Sequence, residues 1–185
     1  IVEVNGTIIK PKEDKVYIAL YKPVGITCTT EGHIEGNIVD YVNYKERIFP
    51  IGRLDKDSEG LILLTNDGDI VNRILREENH HEKEYIVTVD KPLDSKTLKQ
   101  MSQGVRIYNP VKNTYTTTKP CKIHKISEKS FKIVLSQGLN RQIRRMCQHF
   151  GYKVRKLKRV RILNITLDGL SYGKWRFLTQ AEVAS

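Results

Sequence analysis

The chain has 185 residues, enough for one full core or one domain with two lobes, and its 32 Lys and Arg against 21 Asp and Glu leave a net charge of +11. No stretch of about 18 apolar residues occurs, so the sequence contains no helical membrane span. Cys28, Cys121 and Cys147 are odd in number, far apart and outside any Cys-x-x-Cys pair, which excludes a disulfide framework, argues against zinc and fits a reducing, cytoplasmic setting.

In chain order, Val2 to Ile9 reads as a short hairpin and Lys10 to Asp14 as a linker. Val16 to Tyr21 alternates as a strand, and Ile38 to Tyr44 fits a short helix. Pro50, Gly52 and Gly60 break the apolar runs around residue 55, and Leu61 to Leu64 reads as a strand buried on both faces. Asp69 is the expected cap of a helix from Ile70 to about Arg76, with Ile70, Ile74 and Leu75 inward. The pair His80-His81 falls on a loop facing solvent or a ligand. Tyr85 to Val89 is a strand, and Ser95 opens a helix that Gly104 ends. The polar stretch Arg106 to Thr118 reads as a loop that orders on its ligand. Cys121 to Ile126 and Phe131 to Leu135 make a hairpin. Asn140 is the expected cap of a helix to Phe150, closed by Gly151, on which Ile143, Met146, Cys147 and Phe150 share the core face. Arg144 borders that stripe and is partly buried, so it needs an anionic partner, for which Asp55 is the candidate. Cys147-x-His149 reads as helix packing. Tyr152 to Leu157 and Ile162 to Leu167 are the last strands. Strands outnumber helices, which gives an α+β fold with a largely antiparallel sheet and helices against it.

The charge is uneven. Eleven Lys or Arg fall between Lys129 and Arg161, and no Asp or Glu occurs from Lys129 through Leu167. The other 21 basic residues balance the 21 acidic ones, so this segment carries the whole excess. An uncompensated basic face repels itself unless an anion sits on it, and nucleic acid is the expected polyanion.

The run from Phe49 to Asn66 places one carboxylate, Asp55, between two apolar stretches, with Arg53 two residues before it. A loop held at both ends by core is how a scaffold positions a reactive group. Asp55-x-Asp57-x-Glu59-Gly60 starts like a calcium loop, but the twelfth position, which needs Glu, is Asn66. A magnesium-dependent phosphoryl-transfer Asp-x-Asp would end a long apolar strand, whereas Pro50, Gly52 and Arg53 precede Asp55, and no acidic cluster follows to supply ligands.

Gly52-Arg53-Leu54-Asp55, followed by Ser58-x-Gly60-Leu61, resembles the catalytic loop of pseudouridine synthases, and of the RsuA/RluB/RluE/RluF group that acts on ribosomal RNA in particular. Leu20-Tyr21-Lys22-Pro23-Val24-Gly25 resembles that group's first motif, with Tyr21 where Asn is usual. Glu82-Lys83-Glu84-Tyr85 resembles its Lys-x-Tyr motif, and the run Gln137 to Met146 resembles a third. Asn79-His80-His81-Glu82 is similar to the large-subunit version of that stretch. The likeness covers nearly the whole chain.

The resemblance implies a pseudouridine synthase fold, a mostly antiparallel mixed sheet with flanking helices, over residues 11–185. It also implies that residues 1–10 end a small basic RNA-binding domain lying before Ile1. The substrate is then large-subunit (23S) ribosomal RNA, or transfer RNA or small-subunit RNA. The reaction consumes no redox equivalent and no energy, so neither metal nor other cofactor is expected, and the chain is expected to act as a monomer. Asp55 supplies an ionised carboxylate at the sugar–base junction, as base or nucleophile; Tyr85 stacks on the base; Arg144 pairs with the carboxylate, since an adjacent positive charge favours the ionised form. Arg53 fills the space left by a flipped base or holds a phosphate, Leu157 closes the pocket, and Lys22, Lys83, Asn140, Arg141, Gln142, Arg145 and Lys158 contact RNA. Two other readings are a non-catalytic RNA- or ribosome-binding module of the same fold, and a magnesium-dependent phosphoryl transferase. A mere binder would not need Asp55, Tyr85 and Arg144 together.

Overall fold

A computed structural model describes residues 2–4, 7–9, 15–76 and 81–184. Strands β1 (Val2–Val4) and β2 (Thr7–Ile9) pair antiparallel, as expected of a hairpin. Residues Asn5 and Gly6 between them, the linker expected over Lys10–Asp14, the Asn79-His80 pair and the side chain of Leu75 lie outside the described residues. Next come β3 (Tyr17–Lys22), α1 (Ile38–Val42), β4 (Phe49–Ile51), β5 (Glu59–Thr65) and α2 (Gly68–Arg76). Then follow β6 (Lys83–Val89), α3 (Ser95–Ser102), β7 (Arg106–Asn109), β8 (Thr114–Thr117), β9 (Lys122–Ser127) and β10 (Ser130–Leu135). The chain closes with α4 (Gln142–His149), β11 (Val154–Ile162), β12 (Ile165–Thr166), β13 (Trp175–Phe177) and α5 (Gln180–Ala184). Helices and strands together make the expected α+β class.

The chain divides into two compact units, residues 1–78 with 161–185, and residues 79–160. In the first, β13, β3 and β5 lie side by side, with β4 also on β5, and each pairing is antiparallel. All seven residues of β5 are buried, as its apolar run requires. Ile18, Leu20, Ile38, Ile48, Leu61, Ile62 and Leu64 are fully buried in this unit, each burial contributing roughly 1.5–3 kcal/mol before the entropy cost.

Helix α2 is capped by Asp67, not by Asp69. Asp67 Oδ1 accepts from Ile70 N at 3.4 Å, and its carbonyl accepts from Val71 N at 3.2 Å. Asp67 is itself fixed by Thr65 Oγ1 and by the Tyr17 hydroxyl, which donates to it at 3.1 Å, so long-range contacts choose the cap. Asp69 falls in the first turn, where its charge still favours the helix N-terminus.

The last turn of this unit carries a capping box over Thr179-Gln180-Ala181-Glu182. Thr179 and Glu182 form a reciprocal cap: Glu182 N donates to Thr179 Oγ1, and Thr179 N donates to Glu182 Oε1. Arg176 clasps the same carboxylate with two bonds, at 2.7 and 2.8 Å. The Arg176 hydrogen bonds, first, and those from Thr179 hold the Glu182 carboxyl down at about 2. A carboxyl held low stabilises the fold above its unfolded pKa of about 4.3 and loses that contribution as pH falls through the folded value. The stability gap between wild type and Glu182→Gln, read from urea melts, should be constant from pH 5 to 8. It should shrink below pH 4.5 and close near pH 2, with a plateau on the order of 1 kcal/mol after screening. A gap that does not change with pH would contradict this.

In the second unit β11, β6, β10 and β9 are neighbours in that order, and β10 runs antiparallel to both β6 and β9. One cluster, including Val87, Leu98, Met101, Phe131, Ile133, Ile143, Met146 and Cys147, forms its core. Ile143, Met146 and Cys147 of α4 are buried, and Phe150 packs partly buried against them, the face expected from their spacing. Helix α3 starts at an Asp94 cap and is followed by Gly104 at φ +117°. A Cβ at Gly104 would stand 2.7 Å from the Thr118 carbonyl, so the position admits only glycine.

Two strand expectations are corrected. The stretch 106–118 is a hairpin, β7 on β8, rather than a loop awaiting a ligand. Asn109 Oδ1 accepts from Val111 N and Lys112 N, which sets the turn, and Ile107 anchors the ribbon in the core. The two strands expected over 152–157 and 162–167 are instead one long β11 and a two-residue β12 folding back on its end.

Candidate active site

The Asp55 loop is built by its backbone. Leu54, Asp55 and Lys56 present three successive carbonyls, and each accepts a hydrogen bond. Cys28 Sγ donates to Leu54 O at 3.3 Å, Ser58 N to Asp55 O at 3.0 Å, and Gly25 N to Lys56 O at 2.8 Å. Leu54 and Ser58 are buried on either side of the half-buried Asp55. Gly52 follows β4 at φ +79°, and Gly60, inside β5, has φ +119°, both conformations that glycine adopts without strain. A main chain held at three consecutive residues fixes where the Asp55 carboxylate starts, whatever the side chain does.

Tyr21, the departure from the usual motif residue, has a place in this clamp. It lies one residue before the end of β3, opposite Leu61, and its hydroxyl donates to Glu59 Oε2 at 3.0 Å. Burial first, then the Glu59 hydrogen bond, push the Tyr21 hydroxyl up to about 12, so it remains a donor at any physiological pH. Tyr172 meets the Tyr21 ring edge-on at 5.3 Å and accepts from Val24 N at 3.0 Å. Sequence reasoning misses the roles of Tyr172, Glu59 and Cys28 because each acts through a partner at least 26 residues away.

Lys22 is 0 % exposed. Its Nζ donates to Pro23 O at 2.8 Å and Lys56 O at 3.4 Å. Burial pulls its ammonium below the usual lysine range, and the acidic groups Asp55, Asp57 and Glu59 act against that pull. Lys22, expected to contact RNA, is thus an internal cation held against the Lys56 carbonyl of the Asp55 loop. Arg53 is exposed on the same loop.

The second unit carries the other expected residues. Tyr85 lies on β6 opposite Ile133, half-buried and packed against the core cluster. Arg144 and Arg145 are half-buried on α4. Arg141 takes the left-handed conformation, φ +47°, as the residue before the helix, and makes no side-chain cap. The cap expected of Asn140 does not form. Its side chain and carbonyl instead accept from Arg145, at 2.7 and 3.0 Å, leaving Asn140 exposed and Arg145 braced. Gln142 is buried: its Oε1 accepts from Leu139 N at 3.2 Å and its Nε2 donates to Gln137 Oε1 at 3.2 Å. Gln137 Oε1 also accepts from Lys119 N. Gln142, expected to contact RNA, braces the loop before α4. Lys83, expected to contact RNA, and Leu157, expected to close the pocket, are likewise buried, Leu157 within the core cluster. Lys158 is half-buried. His81, expected to face out, is buried. Among the described residues no three His, Cys, Asp or Glu side chains converge as metal ligands would.

A profile of the RNA pseudouridylate synthase family matches residues 16–149. The chain is 57 % identical over 185 residues to the dual-specificity RNA pseudouridine synthase RluF of Escherichia coli K12, and spans 99 % of itself but 62 % of that protein. It is 35 % identical to the ribosomal large subunit pseudouridine synthase B of Bacillus subtilis, over 98 % of this chain and 75 % of the relative. Among solved structures, one described as a pseudouridylate synthase matches 93 % of this chain and 74 % of its own at 31 % identity and a TM-score of 0.81.

Proposed function

The chain belongs to the RNA pseudouridylate synthase family, and on that premise we propose that it isomerises a uridine of large-subunit ribosomal RNA to pseudouridine, with Asp55 as the reacting carboxylate. The observation that carries this reading is the Asp55 loop, whose three successive carbonyls are each held by a hydrogen bond from a neighbouring residue. Such anchoring supports a group that must meet a reacting atom within a fraction of an ångström.

The isomerisation breaks the bond between N1 of uracil and C1′ of the ribose, turns the base, and joins C5 to C1′. N1 gains a proton and C5 loses one, so composition and oxidation state are unchanged. Asp55 acts on the ribose side as nucleophile or base. Tyr85 offers a flat ring against the loosened uracil, and Arg144 is the cation assigned to the reaction. The uridine is taken out of its stack first, at a cost of a few kcal/mol. Residues 11–185 form the catalytic domain, which acts as a monomer in the cytoplasm, a setting supported by Cys28, Cys121 and Cys147 being thiols. Transfer RNA is a second substrate class; the RluF relative is named as acting with dual specificity on RNA.

The test is pseudouridine mapping by mass tagging of total RNA incubated with the chain, read against untreated RNA. A new site in large-subunit RNA supports the proposal, and one in transfer RNA alone replaces the substrate. No new site with this chain or with a chain extended at its N-terminus removes the reaction.

A further inference from the structure

The hairpin β7–β8 and helix α4 enclose a surface cavity of about 410 Å³ within the second unit, inside the roughly 300–1,000 Å³ range of small-ligand sites. Arg106, Tyr108, Tyr115, Arg145, Gln148 and His149 line it, and among the described residues no acidic side chain does. Tyr115 is 62 % exposed. The Arg106 guanidinium lies over its ring, 4.3 Å from the centroid, and the Tyr108 ring stands 4.9 Å from it at 50°. The Tyr108 hydroxyl donates to Asn113 Oδ1, which ties the ring to the turn. On the opposite wall Arg145 is braced by Asn140. Nothing in the isomerisation uses Arg106, Tyr108 or Tyr115.

Tyr108 and Tyr115 oppose each other across the ribbon and steady it, but Ile107 already anchors it in the core and the layer leaves Tyr115 open to solvent. What the layer provides is a flat cationic platform, and the facing wall provides Arg145 with Gln148 and His149 as hydrogen-bonding groups. We propose that this cavity is a second nucleotide subsite: an unpaired RNA base stacks on the Arg106–Tyr115 layer while its phosphate meets Arg145. Single-stranded bases are held in this way on aromatic rings and guanidinium planes. The inference rests on the chain acting on RNA, and it names a contact that grips a nucleotide other than the reacting uridine.

The probe is fluorescein-labelled r(A)10, which contains no uridine and so removes the isomerisation from the readout. At fixed ionic strength, anisotropy should show about tenfold weaker binding for Tyr115→Ala and near wild-type binding for Tyr115→Phe. Arg106→Lys, which keeps the charge and loses the plane, should weaken binding about fivefold. Deca-glutamate should not displace the RNA. Equal binding by all three variants, or displacement by the acidic peptide, overturns the subsite. Should Tyr115→Ala fail to fold, the wild type decides alone. A 2-aminopurine placed in the decamer is quenched on stacking, and unchanged fluorescence refutes the platform. Because this assay needs no turnover, loss of the pseudouridine signal with the binding pattern intact would count against the reaction and not against the subsite.

Discussion

Asp55→Asn is expected to lower the single-turnover rate by at least about 10³-fold, the scale of removing an essential acid–base or nucleophilic group, while RNA affinity stays within about twofold. The structure makes this substitution clean. The loop is held through the carbonyls of Leu54, Asp55 and Lys56, none of which the change touches. Asn keeps the shape of the side chain and removes its charge. The buried Lys22 loses one of the charges that act against its desolvation, but Asp57 and Glu59 remain, so the fold should survive with a small loss of stability. Rapid-quench assays with pseudouridine detection measure the first quantity and anisotropy the second. Retained turnover would remove Asp55 from the chemistry, and a parallel collapse of affinity would make it a binding residue.

Raising salt from 50 to 200 mM should weaken RNA binding by about 250- to 1,000-fold. The figure takes about six phosphate contacts and a log–log slope near −4 to −5. It follows from the segment Lys129–Leu167, which holds eleven basic and no acidic residues. Burial refines which of them take part. Arg159 is buried, whereas Lys129, Lys153, Arg155 and Lys156 are exposed. Charge reversal at Lys153 or Lys156 should flatten the slope by about one each, uniformly across RNA sequences. Tyr115→Ala should leave the slope unchanged while lowering affinity, which separates stacking from charge. A slope near zero would contradict the assignment of the basic segment.

Periodic patterns made part of the molecule legible in its residues alone. The apolar run Leu61–Leu64 could only be a strand buried on both faces, and β5 is buried throughout. The spacing of Ile143, Met146 and Cys147 chose the inner face of α4. The alternating stretch before Leu135 and its partner gave the β9–β10 hairpin. Each of these rests on a repeating pattern carried by neighbouring residues. Helix caps are less legible. Asp67 and Asp69 are equally good caps in isolation, and the bonds from Asp67 N to Thr65 Oγ1 and from the Tyr17 hydroxyl to the Asp67 carboxylate select the former. Asn140 has the right chemistry for a cap, but Arg145 engages it and Arg141 takes the left-handed position instead. The ribbon 106–117 resembles a loop in composition because only Ile107 is buried along its length while Tyr, Thr and Arg face out.

The sequence by itself determined the family, the periodic elements and the order of the motifs, since all three are written in short runs of residue types. Whether a polar residue is a surface contact or an internal support was decided only by tertiary structure. Lys22 became an internal cation because the Lys56 carbonyl, 34 residues on, comes to it. Gln142 became a loop brace because Gln137 and Leu139 turn toward it. Tyr21 became a clamp because Glu59 lies within hydrogen-bond reach. A buried polar group must find its partner wherever the chain brings one, and no local pattern records where that will be.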